Sequence, residues 1–587
     1  MKHARCAAAW KEREGMPIQA RLDGDTILAT ADDDSLRVLQ RMAGAKRVSR
    51  TSPVWRLPLG LEMFRQLREY GAQMDAPLLE QGRRAENTQR WIEQTKASQC
   101  VEPIKPVPVK PGVTLYAHQV KAYNIGYILK NFAALLDMGT GKSLTTVAIT
   151  GRRFLDGKIS RVLIVAPTSV CAVWPREYQQ FADFPHRVVT LLGERDKRLA
   201  ALRYLQQPVM PGMREPLRVA VINYESTWRL EKELIAYKPD MIVCDESQRI
   251  KSHAANQSKA MHRIGDIATY KMILTGTPVQ NNTLDVWSQW RFLSPSIFGT
   301  SFYPFEKRYA VMGGVGNHQY MGTRNLPELT RKAHSIAYRV TKEECLDLPE
   351  QTFEDRIVAL DEKSMRLYKR IQTESFAALE NGEAITANNI LVRLLRLQQI
   401  TGGFLKSDDG AAQVINTAKL DALADIVEGC CVDEGRKLVI FARFRAELEA
   451  ILARVHDVLG KASKSSGKPL GQVAIWGDIP IPQRGAIVKQ FQEDPATRVF
   501  VGQIDACAEG ITLTAANTVA YYSVNWNLSK YQQSLARIHR IGQRNACTYI
   551  HLVVPGTVDE KIMKALKAKE DLARSIVDNW KDYFMDE

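Results

Sequence analysis

The segment DMGTGKS, residues 137–143, sets a Lys142-Ser143 pair behind a glycine-flanked turn that follows an apolar run. Successive backbone N–H groups of such a turn can wrap a polyphosphate, the lysine can reach the β- and γ-phosphates, and the serine hydroxyl can ligate Mg²⁺. Met138, Gly139, Thr140 and Gly141 form the body of this candidate loop. The full GxxxxGK[ST] pattern has a glycine where this chain has Leu136, so the string alone also reads as a plain glycine-rich turn. Further on, MIVCDESQRIK at 241–251 is an apolar run that ends in Asp245 and Glu246. A buried parallel strand delivers acids to its carboxyl end in this way. In nucleotide hydrolysis one carboxylate holds Mg²⁺ and another polarises the attacking water, which assigns Asp245 to the metal and Glu246 to the water. Near the end, YQQSLARIHRIGQRN at 531–545 sets Arg537 and Arg540 on one face if the segment is helical. Arginine against a γ-phosphate neutralises transition-state charge. A solvated basic helix face is the other reading of that pair.

Residues this far apart in sequence need sheets to bring them together. Apolar segments at 162–166, 218–222, 241–244 and 272–274 alternate with longer helical or mixed stretches, and segments at 438–441, 473–476, 499–502 and 518–522 repeat the alternation. The pattern predicts an α/β fold with two helix-covered parallel sheets. It assigns a first lobe to 113–296, a mostly helical intervening segment to 297–420, a second lobe to 421–570 and a tail to 571–587. Pro103, Pro106, Pro108 and Pro111 predict an extended connector over 101–112, behind an N-terminal module over 1–100. Within that module, TSPVWRLPLGLEMFRQLREYG at 51–71 reads as a strand and an amphipathic helix of a small α+β fold.

In order and spacing these strings resemble the Swi/Snf-type ATP-dependent DNA translocases of helicase superfamily two, over roughly 110–570. Further strings carry the resemblance: LYAHQ (115–119), VLIVAPTSVCAVWPRE (162–177), LTGTPVQNN (274–282), KLVIFARF (437–444) and DACAEGITLTAANTVAYYSVNWN (505–527). RIHRIGQ at 537–543 is nearly letter-perfect for the family's sixth motif. The resemblance implies two tandem RecA-like lobes with helical insertions between them, using ATP and Mg²⁺ on double-stranded or branched DNA. It implies that Gln119 contacts adenine and that Gly510 joins the nucleotide-binding set. Ser143 and Asp245 would hold the metal, and Lys142, Glu246, Arg537 and Arg540 would carry hydrolysis. Thr275 and Thr277 would couple it to motion, and Trp174 and Trp526 would lie near DNA, with buried packing as their alternative. The 51–71 segment is similar to the HARP-type module of the annealing-helicase branch, which helps engage branched DNA; a generic packing module is the alternative, and Arg47, Arg50 and Arg56 could simply be solvated. Two departures stand out. Gln248 occupies the usual histidine place of the metal motif, where it could still bond across to the third motif or to the γ-phosphate and so alter the coupling rather than abolish it, and Asn525 and Leu528 replace an acid and a proline.

Composition agrees. A chain of 587 residues and 66.1 kDa is too long for one core. Eighty basic against sixty-five acidic residues give a net charge of +15, which favours a polyanionic partner. Nine cysteines without paired CxxC spacing predict a reduced protein with no zinc module. No apolar run is long enough for a membrane span, and the first residues lack the apolar core of a secretory signal. The combined expectation is an ATP-dependent double-stranded DNA translocase in the bacterial cytoplasm, at the nucleoid or in a phage-infected cell. A strand-separating helicase, an RNA polymerase-recycling factor and a non-catalytic DNA-bound scaffold are the alternatives.

Overall fold

The computed structural model describes residues 18–577 apart from 43, 50–51, 211, 213, 315, 317–318, 346–347, 381–386, 407–411, 508–510 and 541. Arg50 and Gly510 therefore lie outside the described residues. The chain divides into two compact units, the first formed by the chain up to Thr341 together with the part from Leu572 on, and the second by Lys342–Asp571.

The first unit opens with a small α+β module. Strands β1 (Gln19–Asp23), β2 (Thr26–Thr30), β3 (Lys46–Arg47), β4 (Trp55–Pro58) and β5 (Gln73–Met74) form one sheet in the order β3-β4-β2-β1-β5. Alternate residues Ala20, Ile27, Ala29 and Leu57 pack with Leu39, Met63, Leu67 and Leu78 from the module's helices, as the two-residue period of a half-buried sheet requires. The segment read as strand and helix is β4 and helix Leu61–Glu69. The proline-rich stretch is extended but fastened. Val109 bridges Ala182, the Ile104 N–H donates to Asn124 Oδ1 at 3.0 Å, and Lys110 Nζ donates to Gln179 O at 2.6 Å. The module also grips the far side of its unit through Glu62, 3.2 Å from Lys332 and 3.4 Å from Arg331. Lys96 assists by donating to the His334 carbonyl at 3.1 Å.

The large sheet of the first unit comprises β6 (Asn131–Leu136), β7 (Arg161–Ala166), β8 (His186–Leu191), β9 (Leu217–Asn223), β10 (Met241–Asp245) and β11 (Tyr270–Leu274). A hairpin, β12 (Ala310–Gly313) and β13 (Gln319–Thr323), precedes the last strand, β14 (Ala337–Val340). The order is β14-β6-β11-β10-β7-β9-β8 and every pair is parallel. The second unit holds β15 (Gln351–Ile357), the hairpin β16 (Phe404–Lys406) and β17 (Ala412–Val414), then β18 (Leu438–Ala442), β19 (Gly471–Ile475), β20 (Thr497–Gln503), β21 (Thr518–Tyr521) and β22 (Cys547–Val553). Its sheet runs β15-β22-β21-β18-β20-β19, again all parallel. Both units are RecA-like lobes, with strands buried on both faces at their centres.

The intervening segment is less helical than its sequence pattern suggests. Instead of a bridge over 297–420, β14 completes the first sheet beside β6, β15 lies beside β22 in the second, and the division falls at Thr341/Lys342. Both are edge strands with short or polar sequences, AYRV and QTFEDRI, and every residue of β15 is exposed. β15, open to solvent, needs no apolar run, and β14, though largely buried, is only four residues long and interrupted by Arg339, too short a run to show as a strand in sequence.

Candidate active site

The phosphate loop lies between β6 and helix Lys142–Leu155. Leu136, where the motif pattern has its first glycine, is the buried last residue of β6 and pairs with Val340. The left-handed backbone falls instead on Gly139 (φ 83°) and Gly141 (φ 86°), which glycine adopts without steric penalty. A Cβ on Gly141 would lie 1.9 Å from Gln119 Nε2. Gln119 accepts the Tyr116 N–H on Oε1 at 3.0 Å and donates Nε2 to the Thr140 carbonyl at 3.0 Å, so its amide holds the loop's apex. Thr140 Oγ1 donates to Asp137 O at 2.7 Å. Lys142 Nζ lies across the loop's entry, donating to Leu136 O at 2.9 Å and Asp137 O at 3.2 Å. Met138, Gly139 and Ser143 are half-buried around it. The helix presents its first N–H groups and its positive dipole end here, a ready site for anionic phosphate.

Asp245 ends β10 and is 8 % exposed. The Trp174 indole N–H donates to its Oδ2 at 3.2 Å, and the Tyr224 hydroxyl donates to its main-chain carbonyl at 2.7 Å. Burial, then the neighbouring Glu246 carboxylate, push its carboxyl up to about 7, against the pull of Lys142 and the indole hydrogen bond. A buried carboxylate so short of positive charge suits a divalent cation, and Asp245 with the Ser143 hydroxyl and phosphate oxygens is a donor set that Mg²⁺ accepts. Trp174 differs from its expected role near DNA. It is 1 % exposed, so neither ring face is open to a base, and its N–H is spent on the carboxylate.

Glu246 takes the left-handed conformation, φ 51° and ψ 54°. For a residue with a Cβ this costs about 1 kcal/mol or more and persists only where neighbours impose it. Gln248 is one such neighbour. Its Nε2 donates to Glu246 Oε2 at 2.6 Å while its Oε1 accepts from Thr275 Oγ1 at 2.8 Å. Thr275 Oγ1 accepts in turn from the Thr277 N–H at 3.0 Å. The side chain in the usual histidine position thus spans from the water-positioning candidate to the third motif. Two more links between these strings are not visible in sequence. Ser247 Oγ donates to Gln289 Oε1 at 2.7 Å while Gln289 Nε2 donates to Pro278 O at 2.7 Å, and Lys251 Nζ donates to Gln280 Oε1 at 2.7 Å. Gln289 lies on the buried face of helix Asp285–Leu293, where a fully buried amide among apolar neighbours is the available signal. Thr277 Oγ1 is buried with no hydrogen-bond partner among the described residues.

In the second unit, helix Leu528–Leu535 ends before the two arginines, which sit in the turns that follow rather than on a helix. They still converge. Arg537 donates Nη1 to Ile511 O at 2.8 Å, and Arg540 donates Nη1 to Thr512 Oγ1 at 2.7 Å, so both face the segment just after residues 508–510 that leads into β21. Asn525 is buried, with Nδ2 3.4 Å from Asp505 Oδ1, and Leu528 lies in the core, so both departures serve local structure here. Trp526 is half-buried against that core, and its carbonyl accepts from Lys569 Nζ at 2.9 Å.

A phosphate loop, a strand-end acid pair and a third motif hydrogen-bonded to it define a nucleoside triphosphatase lobe, paired in this chain with a second lobe of like topology. Residues 112–402 match the SNF2-related domain and residues 418–542 the helicase conserved C-terminal domain. The chain belongs to the Swi/Snf-type ATPases of helicase superfamily two. It is 25% identical over 444 residues to an uncharacterized ATP-dependent helicase of Mycoplasma genitalium, covering 75% of this chain and 39% of that protein. It is 25% identical over 490 residues to the DNA repair and recombination protein RDH54 of Saccharomyces cerevisiae, covering 75% of this chain and 50% of that protein. The chain thus spans half or less of the length of these curated relatives. The Sulfolobus solfataricus SWI2/SNF2 ATPase core, solved with double-stranded DNA, aligns with a TM-score of 0.38 at 24% identity, over 83% of this chain and 97% of that one.

Proposed function

We propose that this chain couples ATP hydrolysis to movement along double-stranded DNA, remodelling or rewinding DNA structures or displacing bound proteins. The observation that carries the reading is the Glu246–Gln248–Thr275 chain, because it joins the residue suited to orienting water to the motif suited to relaying motion. Lys142 and the loop N–H groups would bind the β- and γ-phosphates, Gln119 would meet adenine, and Ser143 and Asp245 would hold Mg²⁺. When bound, Mg²⁺ neutralises phosphate charge in the transition state. Glu246 orients the attacking water and accepts its proton, and Arg537 and Arg540 are the residues we assign to neutralising transition-state charge. DNA is to be held mainly through phosphates, since a motor that steps along any sequence needs positional grip. Trp526, half-exposed, remains our candidate for a base or sugar contact.

The N-terminal module supplies a further phosphate-facing surface in this proposal. Arg21 pairs with Leu28, Leu28 with Arg56, and Arg56 with Lys46, so one cross-strand row on the open face of its sheet carries three cations. None of the three is ion-paired among the described residues. Branched DNA is the substrate this row would favour. The setting we propose is the bacterial nucleoid or a phage-infected cell; no helix among the described residues is long and apolar enough to cross a membrane.

ATP turnover by the purified chain, measured without nucleic acid and with single-stranded, duplex or forked DNA, tests the reading. Stimulation by duplex or fork is expected, with Glu246→Gln binding nucleotide but not turning over. Stimulation by single strands alone would indicate a strand-separating helicase, and no turnover anywhere would indicate a scaffold.

A further inference from the structure

The loop that begins the phosphate site is held from behind by a side chain with no place in the motifs above. β14 runs parallel beside β6, with Arg339 opposite Leu135 and Val340 opposite Leu136. From there the Arg339 side chain, 8 % exposed, reaches over the end of β6. Its Nη1 lies 2.6 Å from Asp137 Oδ1, 3.2 Å from Leu135 O and 3.4 Å from Gly276 O. One guanidinium nitrogen therefore touches the first residue of the phosphate loop and the glycine of the third motif. These two backbones are already close, since a Cβ on Gly276 would meet Leu136 O at 3.3 Å and Asp137 Cα at 3.4 Å. Lys142 Nζ takes the neighbouring carbonyls, Leu136 O and Asp137 O, so the loop's entry lies between two cations. Two residues after Arg339 the chain leaves the first unit.

We propose that Arg339 is a positioning residue for nucleotide turnover. It fixes Asp137, and through it the phosphate loop, against the third motif, at the point where the chain crosses to the second unit. The contacts show how the loop accommodates Leu136, where the pattern has a glycine, and an acid at the next position. Leu136 stays in β6, and the Asp137 carboxylate, which would otherwise face approaching phosphates, is neutralised by a buried guanidinium. A displacement of the crossing would reach the loop and the third motif through the same side chain. The residue would then govern both nucleotide affinity and the response of turnover to DNA.

This inference rests on the ATPase reading above, and the test separates the two. Arg339→Gln, Arg339→Lys and Asp137→Asn are compared with the unaltered 587-residue chain. The readouts are the thermal midpoint, the Kd for a fluorescent Mg²⁺-ADP analogue, and kcat and KM for ATP with and without duplex DNA. We expect Arg339→Gln to weaken nucleotide binding by about tenfold, the usual consequence of losing a charge-assisted hydrogen bond, and to lower the ratio of DNA-stimulated to basal kcat. Arg339→Lys restores part of the affinity by keeping a cation beside Asp137. Asp137→Asn keeps the packing and shifts affinity in the same direction by less, which decides the matter if Arg339→Gln does not fold. Unchanged affinity and an unchanged stimulation ratio in folded Arg339→Gln, or wild-type affinity in Asp137→Asn when Arg339→Gln does not fold, would overturn the proposal. Failure of the unaltered chain to bind Mg²⁺-ADP would instead overturn the ATPase reading, and this inference with it.

Discussion

Gln248 and Trp174 both act on the acid pair; the sequence allows Gln248 its bond to the third motif, whereas the role of Trp174 could not be read from its letter alone. A glutamine has the chemistry to bond in two directions, but only folding brings Thr275 to the other side of Gln248. Gln248→Ala removes the restraint on a left-handed Glu246. We expect kcat to fall by about tenfold or more while the Kd for Mg²⁺-ADP changes less than about twofold, the signature of a group that acts on the reacting state. Trp174 lies in a motif that suggests DNA, yet its indole nitrogen points to a carboxylate 71 positions away. Trp174→Phe keeps most of the ring and removes that donor. The Mg²⁺ concentration for half-maximal turnover should rise by about tenfold, with duplex affinity unchanged in an anisotropy titration. Weaker DNA binding at unchanged Mg²⁺ dependence would return the residue to the DNA surface.

At the scale of elements, β19 shows at a sheet edge through its apolar VAIW segment, but most of the legible strands are buried ones, because a parallel strand covered on both faces must be apolar throughout. β7, β9, β10, β11, β18, β20 and β21 announce themselves in this way. The edge strands β14 and β15 do not, and without them the true junction of the units is hidden in the sequence. A helix is the natural expectation for the arginine pair because three-residue spacing is all that a sequence displays; turns achieve the same convergence through Leu513 N–H bonding to Arg537 O at 2.9 Å. One element contact lies wholly outside the motif logic. Lys419, at the start of helix Ala418–Val427, and Asp559, in helix Val558–Val577, form a 2.7 Å ion pair exposed by only 1 % and 7 %. Thr401 Oγ1 adds a hydrogen bond to Asp559 Oδ1 at 2.9 Å. Lys419→Met leaves a buried carboxylate unpaired and should cost about 3–5 kcal/mol in denaturant unfolding of the second unit. The double variant Lys419→Met/Asp559→Leu should recover much of the loss, because an apolar pair needs no charge compensation.

For the whole molecule, the net charge of +15 and the basic row on the N-terminal sheet point to the same polyanion. The module is fastened to its unit by Glu62 and Lys96, so the row has a fixed address rather than a tether. Replacing Arg21 and Arg56 by Gln should lower affinity for forked DNA more than for plain duplex. The slope of log affinity against log salt should shrink by about one for each phosphate that is no longer neutralised. Equal weakening on both substrates would make the row a general DNA contact and not a reader of branches.

Displacement of a third strand from a duplex reports directly on movement along double-stranded DNA. It requires a motor to travel without separating the two strands it follows. The purified chain should release the third strand when ATP and Mg²⁺ are supplied, and Glu246→Gln should bind the same DNA without releasing it. Vigorous ATP turnover on duplex DNA with no release of the third strand would contradict translocation.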